Sequence, residues 1–392
     1  MITRIYNVTL VTPTALTPNA VIDIADGKIL TVSQGAASQG GDVRLIDGQG
    51  CYAVPGFVDI HVHGGGGFDF MKASPEGIRQ GCAAHARHGT TTLLPASVTA
   101  SVPGTVKMVE NVRLAQKLTT ECTIAGVHLE GPFLSPVQAG AQDPENLILP
   151  DVRVLDTLEA AWPGAVRIMG VAPELPGGLE FGAVLKNRGI LATISHSDAN
   201  YSVCAQALEQ GYSDITHIYS GCSIVHRTNG YRAGGVVEAG LVEDGFTVQV
   251  IADGKHLPAE LLRLIFKCKG PDKISLITDA VFPAAAGYPD GSKLKQADGR
   301  TIILEDGVLK MEDRTSFAGS IATMDRVVRN MVKLAGVSLS DAVTMATATP
   351  ARVAGLDRRK GHLLPGFDAD IVLLDDDLQV RAVMAMGNLL NN

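Results

Sequence analysis

Apolar positions along the chain fall into two patterns. Near both ends, short stretches alternate apolar and polar: ITRIYNVTLVTP, AVIDIADGKILTV and DVRLIDGQGCYAV within the first 54 residues, and DADIVLLDDDLQVRAVMAMGN at 368–388. Period-two alternation predicts half-buried strands, and the Asp26-Gly27 pair between two of them predicts a tight hairpin. Neither end can bury its apolar face alone. The two are therefore expected to combine into one discontinuous β-sandwich module, residues 1–54 with 351–392, with a main domain inserted between them at 55–350.

In that middle stretch, β-branched runs alternate with amphipathic helical segments such as PEGIRQGCAAHARHG and NYSVCAQALEQG, each closed by glycine. This is the pattern of parallel strands joined by crossover helices. Eight runs qualify: VPGFVDIHVH, TTLLPASVT, TIAGVHLE, VRIMGVAPE, GILATISH, DITH, FTVQVIAD and KISLITD. That count predicts an α/β fold, a (β/α)8 TIM-like barrel. Beyond it, GRTIILEDGVLKMED (299–313) predicts a hairpin about a second Asp-Gly pair, and two helices are expected over 320–349.

Bulk properties narrow the partners. A net charge of -8 over 392 residues argues against nucleic acid and anionic membranes, though a few local cations can still hold an anionic small molecule. No apolar run approaches the ~20 residues that span a bilayer, and the N-terminus has no signal-peptide pattern. The six cysteines are scattered without a CxxC pair, as in a protein kept reduced, so a cytoplasmic location is expected.

The strand ends carry the chemistry. They finish with His61 and His63, Glu130, His196, His217 and Asp279, so five of eight strands deliver a potential metal ligand to one rim. His61 and His63, two apart on a strand, share a face and can grip one ion. Imidazole and carboxylate donors without thiolate suit zinc, iron, manganese or cobalt. Asp279, ending the last strand, is the natural proton carrier beside an acidified water. The glycines at 64–67 are read as letting the loop turn tightly beside the metal without side chains crowding it.

PGFVDIHVHG, HLEGPF (128–133), ISHSDA, THIYSG (216–221), IADGKH (251–256), LITDA (276–280), AGSIATMDRVVRN (318–330) and PGFDADIVLLD (365–375) together resemble the amidohydrolase superfamily, in particular the N-acetylglucosamine-6-phosphate deacetylases. The resemblance implies that Glu130, His196 and His217 bind a primary divalent metal, zinc first among the candidates. It implies a second, more exposed site at His61 and His63, hence one or two ions per subunit, and Asp279 as general base and acid. For the sugar it implies contacts from Ala141, Gln142 and His256, and an acetyl pocket lined by Phe317, Ala318 and Gly319. It also implies a homodimer acting on a phosphorylated amino sugar.

One stretch departs from the family pattern. In HIYSGCSIVHRTNGYRAGG (217–235), Ser220, Gly221 and Cys222 stand where the family carries asparagine, alanine and methionine, and Asn229-Gly230 stands near its Pro-Gly. In the family it resembles, this loop meets the phosphate. Ser220 and Gly221 can still donate hydrogen bonds, and His226, Arg227 or Arg232 can supply a cation. The leading expectation is therefore a metal-dependent deacetylase of N-acetylglucosamine 6-phosphate. Two alternatives stand beside it: a different N-acyl substrate (N-acetylgalactosamine 6-phosphate or an unphosphorylated N-acyl amine), and a non-catalytic sensor or scaffold on the same barrel.

Overall fold

The computed structural model of the chain describes residues 2–35, 43–296 and 299–390. The outermost residues of the expected module, and Asp42 at the start of one predicted strand, lie outside these.

Eight parallel strands form the central barrel: β1 (Phe57–Val62), β2 (Thr90–Ser97), β3 (Val127–Phe133), β4 (Val166–Val171), β5 (Leu191–Ile194), β6 (Tyr212–Ile215), β7 (Thr247–Ile251) and β8 (Ile274–Ile277). Each pairs in parallel with the next, from β1 through β8. The ring closes at its C-terminal rim, where Val62 bridges Ala280 and the Asp279 N–H donates to the His61 carbonyl at 2.9 Å. Closure thus joins two of the predicted site residues through the backbone.

The crossover helices start where local chemistry directs. Ser74 caps Pro75–Ala86 by accepting from the Gly77 N–H, and Asn200 caps Tyr201–Glu209 by accepting from Val203. Their apolar faces share one buried cluster with the strands, including Ile78, Cys82, Val109, Leu155, Leu185 and Cys204.

Both chain ends enter one further sheet, ordered 388–389, 380–385, 371–374, 52–55, 2–11, 16–25, 28–34. Ile2–Val11 pairs first with Val43–Asp47 and then with Tyr52–Ala53, so the sheet folds over on itself around Ile5, Val8, Ile22, Ile24, Ala53, Ile371 and Met384. Asp26 and Gly27, at φ 50° and 73°, make the two-residue turn between 16–25 and 28–34. Asp306 and Gly307 repeat it at φ 57° and 71° between Thr301–Glu305 and Val308–Met311. Helices Met324–Lys333 and Leu339–Ala346 follow. A third helix, Ala348–Val353, straddles the expected boundary at 350, and Ala351, Val353 and Leu356 are buried with barrel residues Val58, Ile60, Ile251 and Ile277.

Candidate metal centre and substrate cavity

Six side chains converge at the C-terminal mouth of the barrel. His61 lies in β1 and His63 just past it; Glu130 lies within β3; His196, His217 and Asp279 each stand two residues beyond the ends of β5, β6 and β8. These last three adopt left-handed backbone, with φ of 43°, 26° and 48°. Such conformations are costly for residues with a Cβ and gather at functional sites, because the rest of the fold must enforce them. They turn each side chain back over the barrel axis.

The four histidines are oriented alike. Nδ1 of His63 faces the Ala96 carbonyl at 3.3 Å, that of His196 the Gln138 carbonyl at 2.8 Å, and that of His217 the Ser220 carbonyl at 3.1 Å. Nδ1 of His61 faces Oε1 of Gln249 at 3.1 Å. A carbonyl accepts only, so each Nδ1 carries the proton and each Nε2 presents a lone pair. Those four Nε2 atoms point at one place. Two are 3.0 Å apart (His61 and His63), and those of His196 and His217 lie 3.0 and 2.7 Å from Oε1 of Glu130. Oδ1 of Asp279 is 3.1 Å from Nε2 of His63 and 3.7 Å from that of His61.

Bare lone pairs and carboxylate oxygens at such distances repel unless a positive charge lies among them. Donors about 2.0–2.1 Å from one tetrahedral ion are spaced in just this way. The groupings whose ligand atoms all lie within 4.8 Å of one another are His61–Glu130–His217 and His61–His63–Asp279, so His61 belongs to both, while His196 falls in neither and meets the first through Glu130 at 3.0 Å. The residues present fit a divalent cation, with nitrogen and oxygen donors and no sulfur.

Electrostatics agree. Burial disfavours charge on His63, but Asp279 and Glu130 outweigh it and drive the imidazole up to about 10, so its Nε2 takes up either a proton or a metal ion and offers its lone pair only to the latter. Burial likewise pushes the Glu130 carboxyl up, yet His61, His196 and His217 hold it well below the ordinary carboxylate range. Asp279 is held down to about 2 against the effect of burial, chiefly by His63. The pocket is built to keep its carboxylates ionised and to surround them with positive charge.

Above this cluster opens a cavity of about 600 Å³. His63, Glu130, His196, His217 and Asp279 form its floor, and Ala141, Gln142, Ser220, Gly221, His256 and the segment Phe317–Gly319 line its walls. His61 is fully buried beneath His63. Gln142 reaches the wall with its amide already engaged: Nε2 donates to Oε2 of Glu130 at 2.8 Å and Oε1 accepts from the Thr99 N–H at 2.7 Å, so it orients a ligand candidate. His256 is held by Asp253 at 2.8 Å and packs against Phe317. His226, Arg227 and Arg232 do not reach this cavity; they lie on an exposed hairpin, His226–Thr228 with Tyr231–Ala233. Two cations absent from the sequence reading, Lys72 and Arg300, line the cavity instead.

Gly66 and Gly67, at φ 60° and 92°, make the expected tight turn, but Gly64 and Gly65 serve a different end. A Cβ on Gly64 would fall 2.5 Å from the Phe68 carbonyl oxygen and 2.9 Å from the Phe282 N, and one on Gly65 2.4 Å from Nε2 of His85. Their smallness admits neighbouring backbone and a buried histidine, not an ion. Gly221 does border the centre, since a Cβ there would lie 2.6 Å from Nδ1 of His196.

Residues 52–390 match the amidohydrolase family. The chain is 32% identical over 394 residues to N-acetylglucosamine-6-phosphate deacetylase of Bacillus subtilis (strain 168), covering 98% of this chain and 96% of that protein. It is 33% identical over 336 residues to N-acetylgalactosamine-6-phosphate deacetylase of Escherichia coli O157:H7, covering 86% of each. Among solved structures, a mutant N-acetyl-D-glucosamine-6-phosphate deacetylase from Mycobacterium smegmatis, in complex with N-acetyl-D-glucosamine-6-phosphate, superposes with a TM-score of 0.89 at 33% identity, over 99% of this chain and 98% of that one.

Proposed function

Because the chain belongs to the amidohydrolase family, we propose that it hydrolyses the N-acetyl group of N-acetylglucosamine 6-phosphate to acetate and glucosamine 6-phosphate. The observation that carries this reading is the convergence of His63, His196 and His217 with Glu130 and Asp279 on the floor of a sugar-sized cavity, with His61 buried against His63. Glu130, His196 and His217 would hold a primary ion and His61 with His63 a second, zinc being the first candidate. A divalent ion held there supplies Lewis acidity toward the acyl carbonyl and lowers the pKa of water.

The chain's own groups account for the proton traffic. Asp279 is ionised at neutral pH, so it accepts a proton from the attacking water as a bond forms to the acyl carbon. It then returns that proton to the nitrogen as the C–N bond breaks, leaving a carboxylic acid and an amine, which exchange a proton to become carboxylate and ammonium. Gln142 keeps Glu130 in place. His256, Ala141 and the Phe317–Gly319 segment, which line the cavity, would seat the sugar and its acetyl group.

Lys72 and Arg300 in the walls, with Ser220 and Gly221, support an anionic substrate. The similarity to an N-acetylgalactosamine-6-phosphate deacetylase, together with the altered 220–222 stretch, favours the galacto epimer as the second reading. A cytoplasmic homodimer is the proposed setting; Ile224, Val225 and Tyr231, 54%, 48% and 80% exposed, give the hairpin an apolar edge suited to a second copy. Steady-state kinetics on both 6-phosphates and on N-acetylglucosamine test the proposal. The highest kcat/KM is expected on N-acetylglucosamine 6-phosphate; equal values with and without phosphate would remove the phosphate from the reading, and inactivity on all three would remove the deacetylation.

A further inference from the structure

Three of the four converging histidines are oriented by backbone carbonyls, which no substitution can delete. His61 differs, because its Nδ1–H donates to a side chain, Gln249, at 3.1 Å. Gln249 sits on β7 and is fully buried. Since β7 and β1 are not neighbours in the barrel, this contact crosses the interior. The other end of the amide is also fixed: Nε2 donates to Oδ2 of Asp214 on β6 at 2.7 Å, and Oδ1 of Asp214 accepts from the Thr247 hydroxyl at 2.5 Å. Asp214 is itself fully buried. An amide can turn over and exchange its oxygen and nitrogen, but here only one orientation works. A carboxylate cannot donate, so Asp214 must face the NH2 and the carbonyl must face His61.

We infer that Gln249, anchored by Asp214, is a positioning residue that holds His61 in the Nδ1–H tautomer and so sets the affinity of the ion beside His61 and His63. The inference rests on the metal-dependent reading of the site. Its physical basis is general: a ligand imidazole needs its other nitrogen committed to an acceptor, and losing that acceptor costs roughly 10–100-fold in metal affinity. The three histidines tied to backbone keep their orientation whatever stands at 249, so the ion that depends on His61 and His63 loses most, while an ion at Glu130, His196 and His217 keeps three ligands that do not depend on Gln249.

The test is metal titration of the full-length apoprotein with zinc against a chromophoric chelator, with metal content measured after gel filtration. Wild type should take up two ions. Gln249→Leu should retain the tighter ion unchanged and bind the second roughly 10–100-fold more weakly. The pair Gln249→Glu with Asp214→Asn, which again offers an acceptor to His61 and a donor to that acceptor, should restore it. Should Gln249→Leu yield no folded protein, Gln249→Met, closer in length and without an acceptor, is read in its place. Two ions bound with wild-type affinities by the Leu or Met variant would overturn the inference. Equal weakening of both ions, or no recovery in the pair, would also overturn it by showing a merely structural role. A wild-type protein that binds no ion would instead sink the metal-dependent reading itself.

Discussion

Asp279 concentrates three demands in one residue. Its backbone is left-handed at φ 48°, its N–H closes the barrel onto His61, and its carboxylate faces His63 at 3.1 Å. Asparagine tolerates that backbone conformation and fills nearly the same volume, so Asp279→Asn should leave the fold intact. What it removes is the proton acceptor. Loss of a positioned general base and acid costs about 10²–10⁴ in rate, and kcat on N-acetylglucosamine 6-phosphate should fall by that amount while the ion at Glu130, His196 and His217 is retained. Kinetics paired with metal analysis of the same sample check both halves. Turnover within tenfold of wild type would take Asp279 out of the mechanism.

At the scale of the element, the strands were the most legible part of the chain. Period and β-branching located all eight, and the two Asp-Gly pairs became two-residue turns with both central residues at positive φ. The convergence of the six candidate residues was legible for the same reason, because each ends an apolar run that a parallel barrel must direct to one rim. Contacts that depend on which side chain meets which across the barrel were not legible. Gln249 and Asp59 appear in sequence only as polar interruptions of apolar strands, a signal that they are buried and paired but not with what. The loop after His217 has no periodicity to read, and its arginines lie away from the cavity. The glycines after His63 turn the chain as expected at Gly66 and Gly67, while the pair before them shows how a correct motif can carry a mistaken cause. Their constraint comes from the helix Pro75–Ala86, whose buried His85 donates from Nε2 to the Gly64 carbonyl at 2.8 Å. Gly65→Ala would set a Cβ 2.4 Å from that nitrogen. Overpacking of this kind costs about 1–3 kcal/mol, so a lower urea midpoint is expected with substrate KM little changed. An unchanged midpoint would show that His85 moves aside freely.

For the whole molecule, the question is how a module made of two distant chain ends is fastened to the barrel. Val11, Val54, Val372 and Leu374 of its sheet share the barrel's buried apolar cluster, and Lys360 adds a polar fastening. Its side chain is 1% exposed, and its ammonium donates to Oδ2 of Asp370 at 2.6 Å and to the Thr123 hydroxyl at 2.9 Å, with Oδ2 of Asp368 also at 2.9 Å. Asp368 in turn accepts from Lys28, in the N-terminal part of the module, at 2.6 Å. One buried cation thus ties the barrel at Thr123 to both ends of the chain. Deleting one member of a buried ion cluster strands the others, at about 3–5 kcal/mol, and Lys360→Met should destabilise the protein by that order at pH 7. The pH dependence gives the mechanism away. Burial raises the Asp368 carboxyl, but Lys28, Lys360 and Arg359 outweigh it and hold it at about 2, below its ordinary 3.8. A group depressed on folding contributes its full stabilisation above the unfolded value and loses it as pH falls through the folded one. The deficit of Lys360→Met relative to wild type should therefore be full at pH 7 and shrink between about pH 4 and 2. Urea unfolding of both proteins at each pH, with metal removed so that its loss in acid is shared, measures that difference. A deficit that stays constant across the acid range would mean that Lys360 acts through the packing of its alkyl stem and not through the charges it joins.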